Sequence, residues 1–170
     1  MNWYVLFVLG KKEEQIAYRL QQAGIQAFLP KMQVYHKKQG KLYTVEKLMF
    51  PNYLFVESKL DQKAFDERAR KMKMEHIGIV KELKYDNEGT SALKQEEKEF
   101  IEKLIGRNKV LEHSVGYIEG DKVIVTDGPL KGMESKIIHI DRHKRRALLE
   151  VMILNQSMQI NASLEIVKKI

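Results

Sequence analysis

Apolar residues in this chain fall in short runs separated by charged stretches. Trp3 to Leu9 is unbroken and apolar, the pattern of a strand covered on both faces. Gly10 ends it. From Lys12 to Ala23, Ile16, Ala17 and Leu20 recur at helical spacing, and Gly24 stands where a helix C-terminal cap belongs. A short strand is expected over 25–29, stopped by Pro30. Gln33-Val34-Tyr35 and Leu42-Tyr43-Thr44-Val45 then flank the polar run His36-Lys37-Lys38-Gln39-Gly40-Lys41. That arrangement predicts a hairpin turned at Gly40.

The densest apolar and aromatic run is Met49-Phe50-Pro51-Asn52-Tyr53-Leu54-Phe55-Val56. Pro51 has no backbone donor and marks the start of a strand rather than its middle. Alternation places Tyr53 and Phe55 on one face and Leu54 and Val56 on the other. Such a run is core, or core on one face and an anchor for a partner on the other. Asp61 can cap a helix over 62–72, with Phe65, Ala69 and Met72 inward. A strand is expected over 77–83, a turn-rich loop over 86–91, and a helix over 94–105 carrying Phe100, Ile101, Leu104 and Ile105. These elements predict an α+β layer sandwich. Gly106 stops the last helix. Residues 107 to 116 have weak periodicity and read as a linker or a docked arm.

From Gly120 the pattern contains no helix. Strands are expected over 122–126, 134–140, 147–154, 158–160 and 164–167. Asp127-Gly128-Pro129-Leu130-Lys131-Gly132 forms a tight loop, and residues 141–146 form a turn. Five short strands in so small a region predict a closed barrel, because closure removes bare sheet edges. The chain is therefore divided into a first domain at 1–106, a linker at 107–119 and a small β-barrel at 120–170.

Composition narrows the chemistry. The 170 residues are 44% hydrophobic, and Lys plus Arg outnumber Asp plus Glu by 30 to 23, a net charge of +7. This suits a polyanionic partner without requiring one. With no cysteine in the chain, disulfides, thiolate catalysis and cysteine zinc sites are excluded. The start lacks a basic segment, and its apolar run breaks at Gly10, so neither a signal peptide nor a membrane span is expected and the protein is placed in the cytoplasm. The five histidines, His36, His76, His113, His139 and His143, lack metal-ligand spacing. No nucleophile elbow, phosphate-cradling loop or paired-carboxylate motif is present. The expectation is a binding protein with no enzyme activity and no cofactor.

Charge is concentrated in two places. The hairpin carries Lys37, Lys38 and Lys41. Residues 120–170 have a net charge of +3, and Arg142, His143, Lys144, Arg145 and Arg146 are consecutive across one turn. Such a turn is either an ordinary solvated tip or a cluster that grips phosphates and bases. Lys131 and Lys136 extend the cluster if their strands face it.

Several of these residues match a known pattern. Trp3-Tyr4, Gly10 with Glu13, Phe28 with Pro30 and, above all, Phe50 to Val56 resemble the amino-terminal domain of the NusG family of transcription elongation factors. Gly120-Asp121-Val123-Val125, Gly128-Pro129 with Lys131-Gly132, and Ile140-Asp141 with Ala147 resemble its KOW domain, an SH3-like barrel. The two motifs stand in the family's order, and the resemblance spans nearly the whole chain. Asn52, where the common version has Gly, and the basic turn are similar to specialised paralogs, closest to the LoaP antiterminator branch. Ser135 replaces a glycine usual in the family.

The resemblance implies an α/β domain that docks on the clamp helices of RNA polymerase through Tyr4, Phe50, Pro51, Tyr53 and Phe55. Lys37, Lys38 and Lys41 would approach the opposite cleft wall or upstream DNA. The barrel would hold nascent RNA, a hairpin, through Lys131, Arg142, His143, Lys144, Arg145 and Arg146. The implied protein is a monomer away from membranes. The alternative is a general elongation factor whose barrel binds a termination factor or a ribosomal protein. A ribosome-associated protein is a third class.

Overall fold

A computed structural model describes residues 1–85 and 89–170, so Asp86, Asn87 and Glu88 of the expected loop lie outside the described residues. The chain forms two compact units that interleave in sequence. The first comprises Met1–Leu29, Phe50–Glu99 and Ile153–Asn155. The second comprises Pro30–Met49, Phe100–Met152 and Gln156–Ile170.

In the first unit, strands β1 (Asn2–Val8), β2 (Gln26–Phe28), β5 (Tyr53–Ser58) and β6 (Ile79–Glu82) form a sheet in the order β2-β5-β1-β6. All three pairings are antiparallel. The apolar run at the amino terminus becomes the central strand β1, because each neighbour covers one of its edges. Opposed residues share a face, so the register of Tyr4 with Val56 and Leu6 with Leu54 assigns these four to one side. Tyr4 stacks on Phe65 with ring centres 3.6 Å apart, which identifies this as the side under helix α2 (Gln62–Glu75). Trp3, Val5 and Phe7 lie on the other side with Phe55 and Tyr53.

Helix α1 (Glu13–Gln22) buries Ile16, Ala17 and Leu20, the stripe expected from spacing. Helix α2 starts where Asp61 accepts a hydrogen bond from the Ala64 amide at 2.9 Å, and it buries Phe65, Ala69 and Met72. It runs a turn beyond the expected end, since nothing before His76 breaks it. Strand β6 is shorter than expected. Gly78 adopts φ +105 at its mouth, and a side chain there would run into Ile16. Helix α3 (Gln95–Ile105) runs along the chain from the first unit into the second. Within the first unit, the buried Glu97 carboxylate accepts hydrogen bonds from the Tyr85 hydroxyl and from the Leu154 and Asn155 amides. One side chain thereby satisfies three donors.

The second unit holds two sheets. Strands β3 (Lys31–Lys38) and β4 (Lys41–Leu48) form the expected hairpin, and Gln39 and Gly40 both have positive φ at its tip. Two left-handed residues make the turn whose twist matches the strands it joins. Strand β7 (Val110–Leu111) pairs parallel to β3. The other sheet has the order β10-β11-β12-β8-β9, from β8 (Ser114–Glu119), β9 (Lys122–Asp127), β10 (Ile137–Asp141), β11 (Arg146–Ile153) and β12 (Gln156–Lys169).

Five strands are present, although not the five expected. Residues 134–136 form a short 3-10 turn before β10. The two segments expected at 158–160 and 164–167 are one 14-residue strand, with no glycine or proline to interrupt it. The missing strand is supplied by β8, from the stretch read as a linker or arm. Its sequence alternates weakly because Gly116 is buried without a side chain to register. A Cβ at Gly116 would lie 2.4 Å from the Ile124 carbonyl oxygen.

Gly128 carries the tight loop at φ +97, and a Cβ there would lie 2.6 Å from both the His113 oxygen and the Ser114 Cα. Backbone atoms cannot swing aside as a flexible side chain can. Gly128→Ala is therefore expected to destabilise the chain by about 2 kcal/mol or more, from overpacking and left-handed strain combined. The measurement is a urea unfolding curve with a lower midpoint; an unchanged midpoint would contradict this close approach.

Candidate nucleic-acid interface

The basic turn joins β10 to β11. Asp141 shapes it by accepting the Lys144 amide at 2.9 Å, and that hydrogen bond holds the Asp141 carboxyl below its usual range. Arg145 is left-handed at φ +53. Its carbonyl accepts the Leu164 amide at 3.0 Å, tying the turn to β12. Arg142, His143 and Lys144 are exposed, while Arg145 and Arg146 are half-buried.

This turn forms one side of a groove of about 670 Å³. Tyr35, His36, Lys37 and Leu42 of the β3–β4 hairpin line it as well, together with Glu165 and Ile166. The Arg145 guanidinium lies 5.6 Å from the centre of the Tyr35 ring. Its Nε lies 3.9 Å from Glu165. The Tyr35 ring also stacks on His113, with centres 4.0 Å apart and planes 13° from parallel. Desolvation raises the Tyr35 phenol above its ordinary value, so it stays neutral at physiological pH.

His113 binds several strands at once. Its Nε2 is 2.9 Å from the Thr44 hydroxyl, its Nδ1 meets the Ser163 hydroxyl, and its amide donates to Gln33 at 3.2 Å. Burial holds the imidazole below its ordinary value, against the weaker upward pull of Glu165 and Glu112. A neutral ring offers one donor and one acceptor to the two hydroxyls.

The structure brings Lys37 together with Arg142, His143, Lys144, Arg145 and Arg146. Lys38 and Lys41 face each other in register at the hairpin tip and do not line the groove. Lys131 is exposed in the Gly128 loop, outside the groove lining. Lys136 lies over the Phe100 ring at 5.8 Å. Among the described residues no cluster of three His, Cys, Asp or Glu could hold a metal ion, and no helix is long and apolar enough to cross a membrane.

The residues expected to dock on a partner separate in the first unit. Tyr4, Phe50 and Phe55 are core residues with at most 1% exposure. Tyr4 is on the opposite side of the sheet from Phe55, under α2, and its hydroxyl donates to the Leu60 carbonyl at 2.7 Å. Phe55 is packed against Trp3, Phe28 and Phe50. These three side chains are covered within the first unit. Pro51 is exposed, and Tyr53 is half-exposed beside Phe7.

Pro51 and Asn52 occupy the centre of a turn closed by the Tyr53 amide donating to the Phe50 carbonyl at 3.1 Å. Asn52 has φ +70. Proline followed by a left-handed residue is the type II pattern, for which Gly or Asn is required at the second place. The Asn52 carbonyl accepts the Val8 amide at 2.8 Å, and its side-chain amide donates to the Val8 carbonyl at 3.0 Å.

The family described as transcription termination factor NusG matches residues 1–102, and the KOW motif matches residues 119–152. The chain belongs to the NusG family. Members of this family are transcription factors without enzymatic activity, and the fold class is a NusG amino-terminal domain followed by a KOW domain. The transcription termination/antitermination protein NusG of Rickettsia felis is 24% identical over 99% of this chain and 90% of the relative. That of Thermus thermophilus is 23% identical over 94% of each. The solved NusG of Thermotoga maritima superposes with a TM-score of 0.52 at 18% identity, over 95% of this chain and 93% of that one, a likeness of fold alone.

Sequence reasoning missed Tyr35, His113, Ser163 and Glu165. Tyr35 had a legible signal, an aromatic directly before His36-Lys37-Lys38. The other three are brought in by strands remote in sequence.

Two outcomes test this geometry. Asn52→Gly should lose the side-chain hydrogen bond to Val8 and about 1 kcal/mol of stability, whereas Asn52→Ala should lose more because alanine also resists the left-handed backbone. Equal urea midpoints for the two variants would contradict the assignment. The His113 ring signal should titrate below 6.5 in an NMR experiment. With a folded value below the unfolded one, its contribution to stability is complete above about 6.5 and is lost as pH falls through the depressed value.

Proposed function

We propose that this NusG-family protein is an elongation and processive antitermination factor of the LoaP-like kind, working in the cytoplasm. Its first domain, 1–106, docks on the clamp helices of RNA polymerase, and its KOW domain, 120–170, takes a hairpin in the nascent RNA, with 107–119 connecting them. The observation that carries the RNA reading is the groove in which Arg142, His143, Lys144, Arg145 and Arg146 are gathered. Guanidinium forks match phosphate geometry, and a row of them recognises a backbone whose charge is closely spaced.

The polymerase contact is assigned to the exposed Pro51 and the half-exposed Tyr53 beside Phe7. The family membership supports it, and so does the pinned turn, which presents Pro51 on a rigid loop. The protein makes and breaks no covalent bond. Binding that is stronger to the elongating polymerase than to the paused one shifts the balance toward elongation. An RNA contact on the same chain makes the second binding event effectively intramolecular.

A general elongation role, with the KOW domain binding a termination factor or a ribosomal protein, is the second reading. It is favoured by the curated relatives, which are termination/antitermination proteins.

Capture on immobilised core RNA polymerase tests the first contact. Tyr53→Ala should weaken capture about tenfold with its unfolding midpoint nearly unchanged, the size of effect expected for an interface aromatic. Phe55→Ala should instead lower the unfolding midpoint, since it empties a core site. For the RNA contact, the double variant Arg142→Ala, Lys144→Ala should weaken binding to an RNA stem-loop and reduce the log–log salt slope by about two. An unchanged slope would favour the second reading.

A further inference from the structure

The reading above gives the RNA to the basic turn and leaves the hairpin lysines for DNA or the polymerase cleft. The geometry points to a single RNA groove with two walls. In it, Lys37 of β3 grips the phosphodiester backbone opposite Arg142 and Lys144, and Tyr35 is a positioning residue that holds Arg145 in line. This inference rests on the RNA reading of the turn.

The groove lining itself argues for the second wall. Tyr35, His36, Lys37 and Leu42 line the same space as residues 142–146. Tyr35 and Lys37 are two residues apart on β3 and therefore point to the same side of the hairpin. Lys38 and Lys41, at the tip, are outside the lining. The hairpin thus contributes its shaft to the groove, and its exposed tip remains for other contacts.

Charge argues for a polyanion as occupant. Among the described residues lining the groove, Glu165 is the only carboxylate, and it is beside the Arg145 Nε. Arg142, Lys144, Arg146 and Lys37 remain uncompensated by any acid in the lining. Among the described residues, the Arg146 Nε is buried with no hydrogen-bond partner. The apolar lining is limited to Leu42, Ile166 and the ring of Tyr35, too little to anchor a protein partner.

The Tyr35 ring is stacked on His113 and has the Arg145 guanidinium beside it. That ring and the Glu165 carboxylate are the two groups next to the guanidinium. Arg145 then meets the RNA without first giving up rotamer freedom, which is where pre-organised groups gain affinity.

The experiment is an anisotropy titration of the full chain against a fluorescein-labelled RNA stem-loop, repeated at several salt concentrations. A DNA stem-loop of the same sequence serves as second probe. Lys37→Ala should weaken RNA binding about fivefold and lower the salt slope by about one. Tyr35→Ala should weaken it by a similar factor, whereas Tyr35→Phe, which keeps the ring over Arg145, should bind within about twofold of the unmodified chain. A merely structural Tyr35 would show no coupling to Arg145→Ala in a double-mutant cycle, and urea midpoints identify any loss due to unfolding.

If Lys37→Ala and Tyr35→Ala keep full RNA affinity while the Arg142, Lys144 double variant loses it, the hairpin wall is refuted and the RNA reading stands. If the double variant also binds normally, both fall together. A Lys37→Ala defect confined to the DNA probe would also refute the shared groove, assigning the hairpin to a DNA contact.

Discussion

The pairing of β1 with β5 is the constraint on which the first unit depends, and one turn fixes its register. Tyr53 can enter β5 opposite Phe7 only because Phe50, Pro51 and Asn52 reverse the chain just before it. Proline presets the first half of that reversal, and Asn52 tolerates the left-handed second half. Asn52 then returns both a donor and an acceptor to Val8. A slip of one residue would exchange the faces of the sheet, turning Leu54 and Val56 away from the helices. The same turn leaves Pro51 in solvent, so the device that sets the core register also presents the surface assigned to the polymerase.

In the second unit, His113 has the corresponding role. It contacts β3 through Gln33 and Tyr35, β4 through Thr44 and β12 through Ser163. Tyr35 contacts both its imidazole and Arg145, so the placement of a half-buried arginine is linked to a half-buried histidine. A long cation at the tip of a turn would otherwise sample many rotamers. Here a ring, a carboxylate and a left-handed backbone limit it.

Much of the fold could be read from local pattern. Ile16, Ala17 and Leu20 marked α1 correctly, and Asp61 marked the start of α2, because helical spacing and capping are properties of neighbours in sequence. The hairpin was legible for the same reason. Errors arose where a strand owed its existence to a distant partner. Strand β7 is two residues long and exists because β3 is beside it. Strand β8 includes Gly116, whose missing side chain weakens the alternation that the approach of Ile124 requires. The docking set divides for a similar reason. Tyr53 and Phe55 do share a face, but alternation cannot tell whether that face is covered. At Phe55, Trp3, Phe28 and Phe50 cover it.

The sequence by itself determined the helices, the hairpin, the basic character of residues 142–146 and the family resemblance. Each depends on residue type and short spacing. Only the tertiary structure decided which aromatics are core and which remain at the surface. It also decided that Lys37 shares a groove with the basic turn, and that Arg145 is held by Tyr35 and Glu165. Those outcomes depend on which strands meet across more than a hundred residues, and no local pattern carries that information.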